Sequence, residues 1–390
     1  MRGAAASLEL IVERLSLNIV MPSFSAIRWW LIRFGCYALL CPLPQREQWV
    51  WLIDHTVQIG AAKLLIVVGC LLSDVPFGKR DLQHEDLRLI HLALMDHSTA
   101  ETMAVELEQA ALRTGNPREI VSDQGSDLIG GVQIYKQQAD IIHAHDMAHQ
   151  AANILKQRWN RDDRWSTFSA SLSQTGARLR QTFGAAVRPP STRAKARFMN
   201  VGPTLRFAGR VLKLLETSTN ERIEKHYGWL REYRGDVLNW VDEQAICELT
   251  VRHVSKHGVN RDTAAKLETM YAPRPLTAGV HEVAERLTTI VRETGVAAEK
   301  GETLVGSTEV LESILGKLKR LEGSYANDGF TGLALALGAI VGKRSEAQAC
   351  TALEAVPQKV AESTIGRIIG NTVHSLRNLF ARITSVPDPG

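Results

Sequence analysis

Three apolar runs rich in Val, Ile and Leu follow one another between Trp49 and Met95, joined by short polar segments, and they constrain the fold more than anything else in the chain. WVWLID, AKLLIVVGCLL and LRLIHLALM read as consecutive strands. TAETMAVELEQAALRTG then has the spacing of an amphipathic helix, capped at Ser98 or Thr99 and ended by Gly115. EIVSD is a fourth strand, DLIGGVQIYKQQ a second helix and ADIIHAH a fifth strand. Three strands, helix, strand, helix, strand predicts an α/β protein with a mixed sheet flanked by helices. From Met147 onward the patterns are helical, with no convincing strand. The long stretch that follows the fifth strand is therefore expected to be a large α-helical insertion.

The chain has 390 residues, of which 45% are hydrophobic, enough for two or three domains with a substantial core. Its balance of 46 basic against 42 acidic residues says little about partners, so local charge must decide. Five cysteines, Cys36, Cys41, Cys70, Cys247 and Cys350, include no CxxC pair, and their odd number argues for reduced thiols in a cytoplasm. The longest apolar run, Leu64 to Leu72, is far short of the roughly 20 residues that span a bilayer. The N-terminus carries acidic residues where a signal peptide would be apolar, so neither membrane insertion nor export is expected.

Residues 1–45 read as two short helices. LELIVERLSLNI has helical spacing, and MPSFSAIRWWLIRFG places Pro22 and Ser23 at a helix start and Gly35 at its stop. Helix, turn, helix is the outline of a helix-turn-helix DNA reader. In that reading Ser25, Arg28, Trp29 and Arg33 face DNA while Ile27, Trp30 and Leu31 pack inward. The alternative is an ordinary helical pair packed on the next domain. The abrupt start also raises the expectation that part of an N-terminal DNA-binding region is missing.

Three carboxylates stand out chemically. Asp54 closes the first strand, and Asp123 closes the fourth, where Gly125 lets the backbone turn into the next helix. Sites in open α/β sheets form where strands end. In GSTEVLESILGKLK, capped by Ser307 or Thr308, a buried stripe of Val310, Leu311, Ile314, Leu315 and Leu318 leaves Glu309, Glu312, Gly316 and Lys319 on another face. Glu312 is the favoured third acid, with Gly316 for close approach and Lys319 for phosphate. Glu309 has a simpler role against the helix dipole. Hard divalent cations take oxygen ligands, and two of them about 3.5–4 Å apart activate a water or hydroxyl and stabilise a leaving phosphate oxygen.

WLIDHTVQIG, VSDQGSDL and GSTEVLESILGKLK resemble the three acidic blocks of bacterial insertion-sequence transposases of the DDE type. The six residues between Glu312 and Lys319 are similar to the spacing of the signature helix in one large group of them, although Val305 and Thr308 stand where a tyrosine and an arginine are expected. The resemblance spans Arg46 to Gly342 and implies a ribonuclease H-like core. It further implies two Mg²⁺ (or Mn²⁺) ions on Asp54, Asp123 and Glu312, and cleavage of transposon ends followed by attack of the 3′-hydroxyl on target DNA. A dimer or larger assembly on DNA, in a bacterial cytoplasm at the nucleoid, would follow. HAHDMAHQAAN is similar to a segment of the hAT-type transposases, with Asp146 in place of a cysteine. That similarity makes His149 a candidate to hydrogen-bond the scissile phosphate or move a proton. The alternative for His149 is a histidine satisfied within a helix interface. His143, His145 and His149 lack the cysteines of a structural zinc site.

Between Arg178 and Lys213 there are nine basic residues, among them Arg188, Arg193, Lys195 and Arg197, and no acidic one. Such a run is either a solvated face or a DNA contact that orders on binding. His253 and His257 have the i, i+4 spacing of a metalloprotease helix, but Val254 stands where the general base would be, so the pair reads as structural or DNA-facing.

The expected organisation is residues 1–45 helix-turn-helix, 46–153 the first part of the core, 154–305 the insertion, 306–342 core completion, and 343–390 C-terminal helices. Two other functions fit the same residues: a catalytically inactive, transposon-derived DNA-binding protein, and a stand-alone metal-dependent nuclease.

Overall fold

Alternation along the first strand decides which helices cover the sheet. In β1 (Trp49–Ile59) the residues Trp49, Trp51 and Ile53 point to one face, and Val50, Leu52 and Asp54 to the other. β2 (Ala62–Leu71) and β3 (Arg88–Met95) follow antiparallel, with Trp49 opposite Leu71 and Lys63 opposite Met95. The β1–β2 register shifts between Thr56 and Gln58. A computed structural model describes residues 2–16, 18, 20–46, 48–59, 62–180, 183–190, 198–217, 220–274, 277–322, 331–343 and 345–370.

In chain order the helices are α1 (Arg2–Arg14), α2 (Phe24–Leu40), α3 (Ala100–Thr114), α4 (Ser126–Lys136), α5 (Met147–Trp159), α6 (Asp163–Leu179) and α7 (Gly202–Thr217). They continue with α8 (Glu221–Tyr227), α9 (Arg234–His257), α10 (Thr263–Tyr271), α11 (Ala278–Val296), α12 (Glu309–Glu322), α13 (Leu337–Ile340), α14 (Glu346–Ala355) and α15 (Gln358–Ile369). β4 (Glu119–Ser122) and β5 (Ile142–His145) complete a five-stranded mixed sheet of order β3-β2-β1-β4-β5, so the chain is a mixed α/β protein. It divides into two compact units, Met1–Ala144 with Thr308–Gly390, and His145–Ser307. The second unit thus starts at His145 rather than at residue 154.

In the first unit, Trp51, Ile53, Leu65, Val67 and Ile90 pack on Met103 and Leu107 of α3 and on Leu128, Val132 and Tyr135 of α4. Thr99 caps α3 by accepting from the Thr102 amide. α2, capped by Ser23, runs straight through Gly35 instead of stopping there. A Cβ on Gly35 would lie 1.7 Å from the Leu335 carbonyl oxygen, so the glycine serves a close helix crossing and not a helix end. The buried stripe of α2 is Ile32, Gly35, Cys36 and Leu39, which leaves Trp30 42% exposed, contrary to its expected inward packing. α2 lies against the 3-10 helix Gly332–Ala336 and against α13, α14 and α15. The segment 371–390, expected to continue the C-terminal helices, lies outside the described residues.

The second unit, α5 to α11, is built around aromatic rings. Trp159 and Trp165 have ring centroids 4.5 Å apart, and Trp240 meets Trp165 edge-on at 4.9 Å. Glu243, 2% exposed, accepts hydrogen bonds from Arg158 Nε at 2.9 Å and Trp159 Nε1 at 2.5 Å, so its buried charge is matched. Past β5 the only β pairing among the described residues is an isolated bridge between Val259 and Leu304.

The crossing at Gly35 is made of backbone on both sides and has no rotamer to yield. Gly35→Ala is expected to cost about 1–3 kcal/mol or more and to lower the thermal unfolding midpoint by several degrees. Gly209→Ala in α7, where an added Cβ meets nothing within 4 Å, is expected not to lower it. Thermal melts of the two variants, followed by circular dichroism, check both.

Candidate active site

β1 and β4 run parallel, with Val50 aligned to Glu119, Trp51 to Ile120, Leu52 to Val121 and Ile53 to Ser122. The pairing ends there: Asp123 lies one residue past β4, while Asp54 lies in the middle of β1 opposite Ile66 of β2, contrary to its expected place at the end of the strand. The Asp54 Oδ1 accepts from the His55 amide at 2.6 Å. The Asp123 Oδ1 accepts from the Gly125 amide at 2.9 Å, which closes the turn into α4. Ser122 Oγ donates to the Asp123 carbonyl at 3.0 Å and lies 2.8 Å from His143 Nε2. Both aspartates are thus held by backbone hydrogen bonds.

α12 packs against β1 and the 3-10 helix His84–Asp86, and Lys317 Nζ lies 3.0 Å from His84 Nε2. Its stripe of Val310, Leu311, Ile314, Leu315 and Leu318 is buried, while Glu309, Glu312 and Lys319 are exposed. A Cβ on Gly316 would meet nothing within 4 Å, so no close approach at this helix depends on that glycine among the described residues. Asp54, Asp123 and Glu312 therefore belong to one unit. Among the described residues, no three His, Cys, Asp or Glu side chains form a group that could hold a metal ion.

Sequence reasoning missed a polar cluster on the other face of β1. Lys63 Nζ is 2.6 Å from Asp127 Oδ2, His55 Nδ1 is 3.7 Å from the same oxygen, and Ser98 Oγ is 3.3 Å from His55 Nε2. Burial pushes the Asp127 carboxyl up, but hydrogen bonds from Lys63 and Ser98 and the nearby His55 and Lys63 charges outweigh it and bring the pKa to about 2. His55 moves the other way. Burial pulls its imidazole down, and the attraction of Asp127 and Asp123 does not compensate, since Lys63 opposes them. The imidazole is therefore held neutral at neutral pH. The available signal was Asp127 in the first turn of α4, where a carboxylate complements the helix dipole.

His149 lies in the second unit. Asp146, 1% exposed, is the N-cap of α5, and its Oδ2 accepts from the His149 amide and lies 2.8 Å from His149 Nδ1. The residue standing in for the expected cysteine thus orients the imidazole.

The proposed DNA contacts fare unevenly. Arg33 is committed elsewhere: its guanidinium donates to the Val356 carbonyl at 2.6 Å and to that of Leu353, tying α2 to the end of α14. Arg28 and Arg188 are half-buried and Lys319 is exposed. Arg193, Lys195 and Arg197 lie outside the described residues. Within the basic run, Arg206 is paired with Glu248 at 2.8 Å, a neutralisation the linear sequence hides.

No protein-family model matches the chain, and no curated protein matches it either. Among solved structures it is similar to the Drosophila P element transposase strand transfer complex. The identity is 10%, the match covers 84% of this chain and 87% of that chain, and the TM-score is 0.37. A similarity of that size carries no argument about fold or function, and the site stands on its own geometry. No helix is long and apolar enough to cross a membrane among the described residues.

Because the folded pKa of Asp127 lies below its unfolded value of about 3.9, its contribution to stability is complete above about pH 4. It is lost as pH falls through about 2. The stability gap between the wild type and Asp127→Asn in urea unfolding is expected to be constant near neutrality and to narrow over that acid window. A gap independent of pH would contradict the assignment.

Proposed function

We propose that the first unit is the ribonuclease H-like core of a DDE transposase that cleaves transposon ends and joins the freed 3′-hydroxyl to target DNA. The observation that carries this reading is the β1–β4 register: Ile53 pairs with Ser122, and the residues that follow them on these adjacent parallel strands are Asp54 and Asp123. The strand order β3-β2-β1-β4-β5, antiparallel through the first three and parallel between β1 and β4, supports it.

Asp54 and Asp123 would hold divalent cations, Mg²⁺ or Mn²⁺, with Glu312 of α12 as third ligand. Carboxylate oxygens are the donors that hard cations take, although the three side chains do not form one metal-holding group in this structure. When bound, the ions would supply Lewis-acid activation of water or a 3′-hydroxyl and neutralise charge on the leaving oxygen. The chain's own part is to hold the two aspartates rigid, through the His55 and Gly125 amides, and to keep the adjoining His55–Asp127–Lys63 cluster from competing for protons at neutral pH. Lys319 on the exposed face of α12 is the proposed phosphate contact there. His149, its Nδ1 held by Asp146, is proposed to hydrogen-bond a DNA phosphate. DNA is the proposed partner, in a homodimer or larger assembly, within a bacterial cytoplasm.

A second reading, a DNA-binding descendant that no longer cleaves, is favoured by the lack of a three-residue metal-binding group among the described residues.

Excision and joining of a plasmid segment bearing the DNA that flanks the gene, with Mg²⁺ or Mn²⁺, tests the proposal. Asp54→Asn, Asp123→Asn and Glu312→Gln are each expected to lose joined product by about 100-fold or more while DNA binding is retained. Retained cleavage by Asp123→Asn would sink the assignment. Binding without cleavage by the wild type supports the inactive descendant, and nicked but never joined product supports a stand-alone nuclease.

A further inference from the structure

The second unit carries a cleft that the proposed cleavage chemistry does not use. Its volume is about 320 Å³, at the lower end of the range for small-ligand pockets. The last turns of α9 line it with Glu248, Arg252, His253, Lys256 and His257, and the chain just past α10 adds Arg274. The i, i+4 steps from Glu248 to Arg252 to Lys256, and from His253 to His257, put these side chains on neighbouring lines of one helix face.

The cleft gathers cations that carboxylates leave unmatched. Several exposed arginines elsewhere in the same unit have carboxylate partners: Arg164 with Asp236, Arg231 with Glu224, Arg234 with Glu216 and Arg292 with Glu268. Among the described residues no carboxylate pairs with Arg252, Lys256 or Arg274. The one acid in the lining, Glu248, is already engaged by Arg206 from α7. Three unmatched cations around one concavity repel one another and gain by taking an anion.

The histidines add a proton-dependent component. Their rings stack with centroids 4.8 Å apart and an interplanar angle of 27°. The charged groups around them are Arg252 and Lys256 on α9, Lys266 on α10, Arg274 beyond it, and the Glu248–Arg206 pair that joins α9 to α7. Burial, then the neighbouring His257 and Lys266, hold the His253 imidazole below its usual range. An anion between the rings and the three cations reverses that balance, so binding and protonation favour each other.

We propose that this cleft binds a phosphate group through Arg252, Lys256 and Arg274, with the stacked His253–His257 pair strengthening the site as pH falls. The phosphate belongs either to a nucleic-acid backbone or to a free phosphate compound, since both present the same oxygens to the cleft. The inference does not depend on cleavage by the first unit.

The test uses the full chain in EDTA, which removes any divalent-ion contribution. Inorganic pyrophosphate is titrated calorimetrically and a fluorescein-labelled DNA duplex by anisotropy, each at about pH 7.5 and about pH 6 at fixed ionic strength. The wild type is expected to bind at least one probe about threefold or more tightly at the lower pH. Arg252→Gln with Arg274→Gln is expected to weaken binding about tenfold or more. His253→Gln with His257→Gln is expected to leave affinity near pH 7.5 within about twofold and to abolish the pH dependence. A response with pyrophosphate assigns a free phosphate ligand, and one with duplex alone assigns a backbone. Lys256→Gln, read beside an unchanged circular dichroism spectrum, is expected to weaken binding in the same direction and serves if the double variants misfold. Affinity unchanged in the arginine and lysine variants, or pH dependence that survives loss of both histidines, overturns the proposal. DNA cleavage by the first unit, measured separately with Mg²⁺, is expected to be independent of either result.

Discussion

The parallel pairing of β1 with β4 is the constraint on which the first unit's chemistry depends. Side chains alternate along a strand with a period of two, so a slip of one residue would turn Asp54 toward the α3–α4 layer and bring Ile53 to the site. Burial prevents that slip. Trp49, Trp51 and Ile53 fill the space against α3 and α4, and Ile120 of β4 is fully buried beside them. At about 1.5–3 kcal/mol for each large apolar side chain, the buried set resists a register change more strongly than any single polar contact could enforce one. Hydrophobic packing thereby fixes the face of the sheet on which Asp54 lies.

The same alternation separates two kinds of polar chemistry across one strand. Asp54 alternates with Leu52 and Val50 on the face away from α3 and α4, while His55, one residue on, joins Lys63 and Asp127 over the first turn of α4. Asp127 stays ionised and His55 stays neutral at neutral pH, so the cluster contributes a fixed local field beside the aspartates. In the second unit charge is managed by matching. Glu243 is buried with Arg158 and Trp159 as donors, several exposed arginines find carboxylates, and the cleft along α9 gathers cations that do not.

Much of this was legible in the amino-acid sequence, because it follows from local patterns. The apolar runs from Trp49 to Met95 marked the three antiparallel strands, Thr99 and Gly115 bounded α3, and the stripe from Val310 to Leu318 set the buried face of α12. What could not be read depends on partners distant in sequence. Gly35 looked like a helix stop because its reason for being a glycine, the carbonyl of Leu335, lies far along the chain. Arg33 looked free for DNA until the carbonyls of Leu353 and Val356 were placed beside it. Lys63 and Asp127 meet only after the β1–β2 hairpin and the β4–α4 turn have formed, and neither residue signals the other. Arg206 likewise stands in an acid-free run and is neutralised by Glu248 from another helix.

The central claim is that Asp54 and Asp123 together form a divalent-cation site. Electron paramagnetic resonance of Mn²⁺ titrated into the full chain, beside Asp54→Asn and Asp123→Asn, tests it without requiring any DNA substrate. The wild type is expected to take up Mn²⁺, and either substitution to weaken uptake by about tenfold or more. Uptake unchanged in both variants, or none by the wild type even with DNA present, would contradict it.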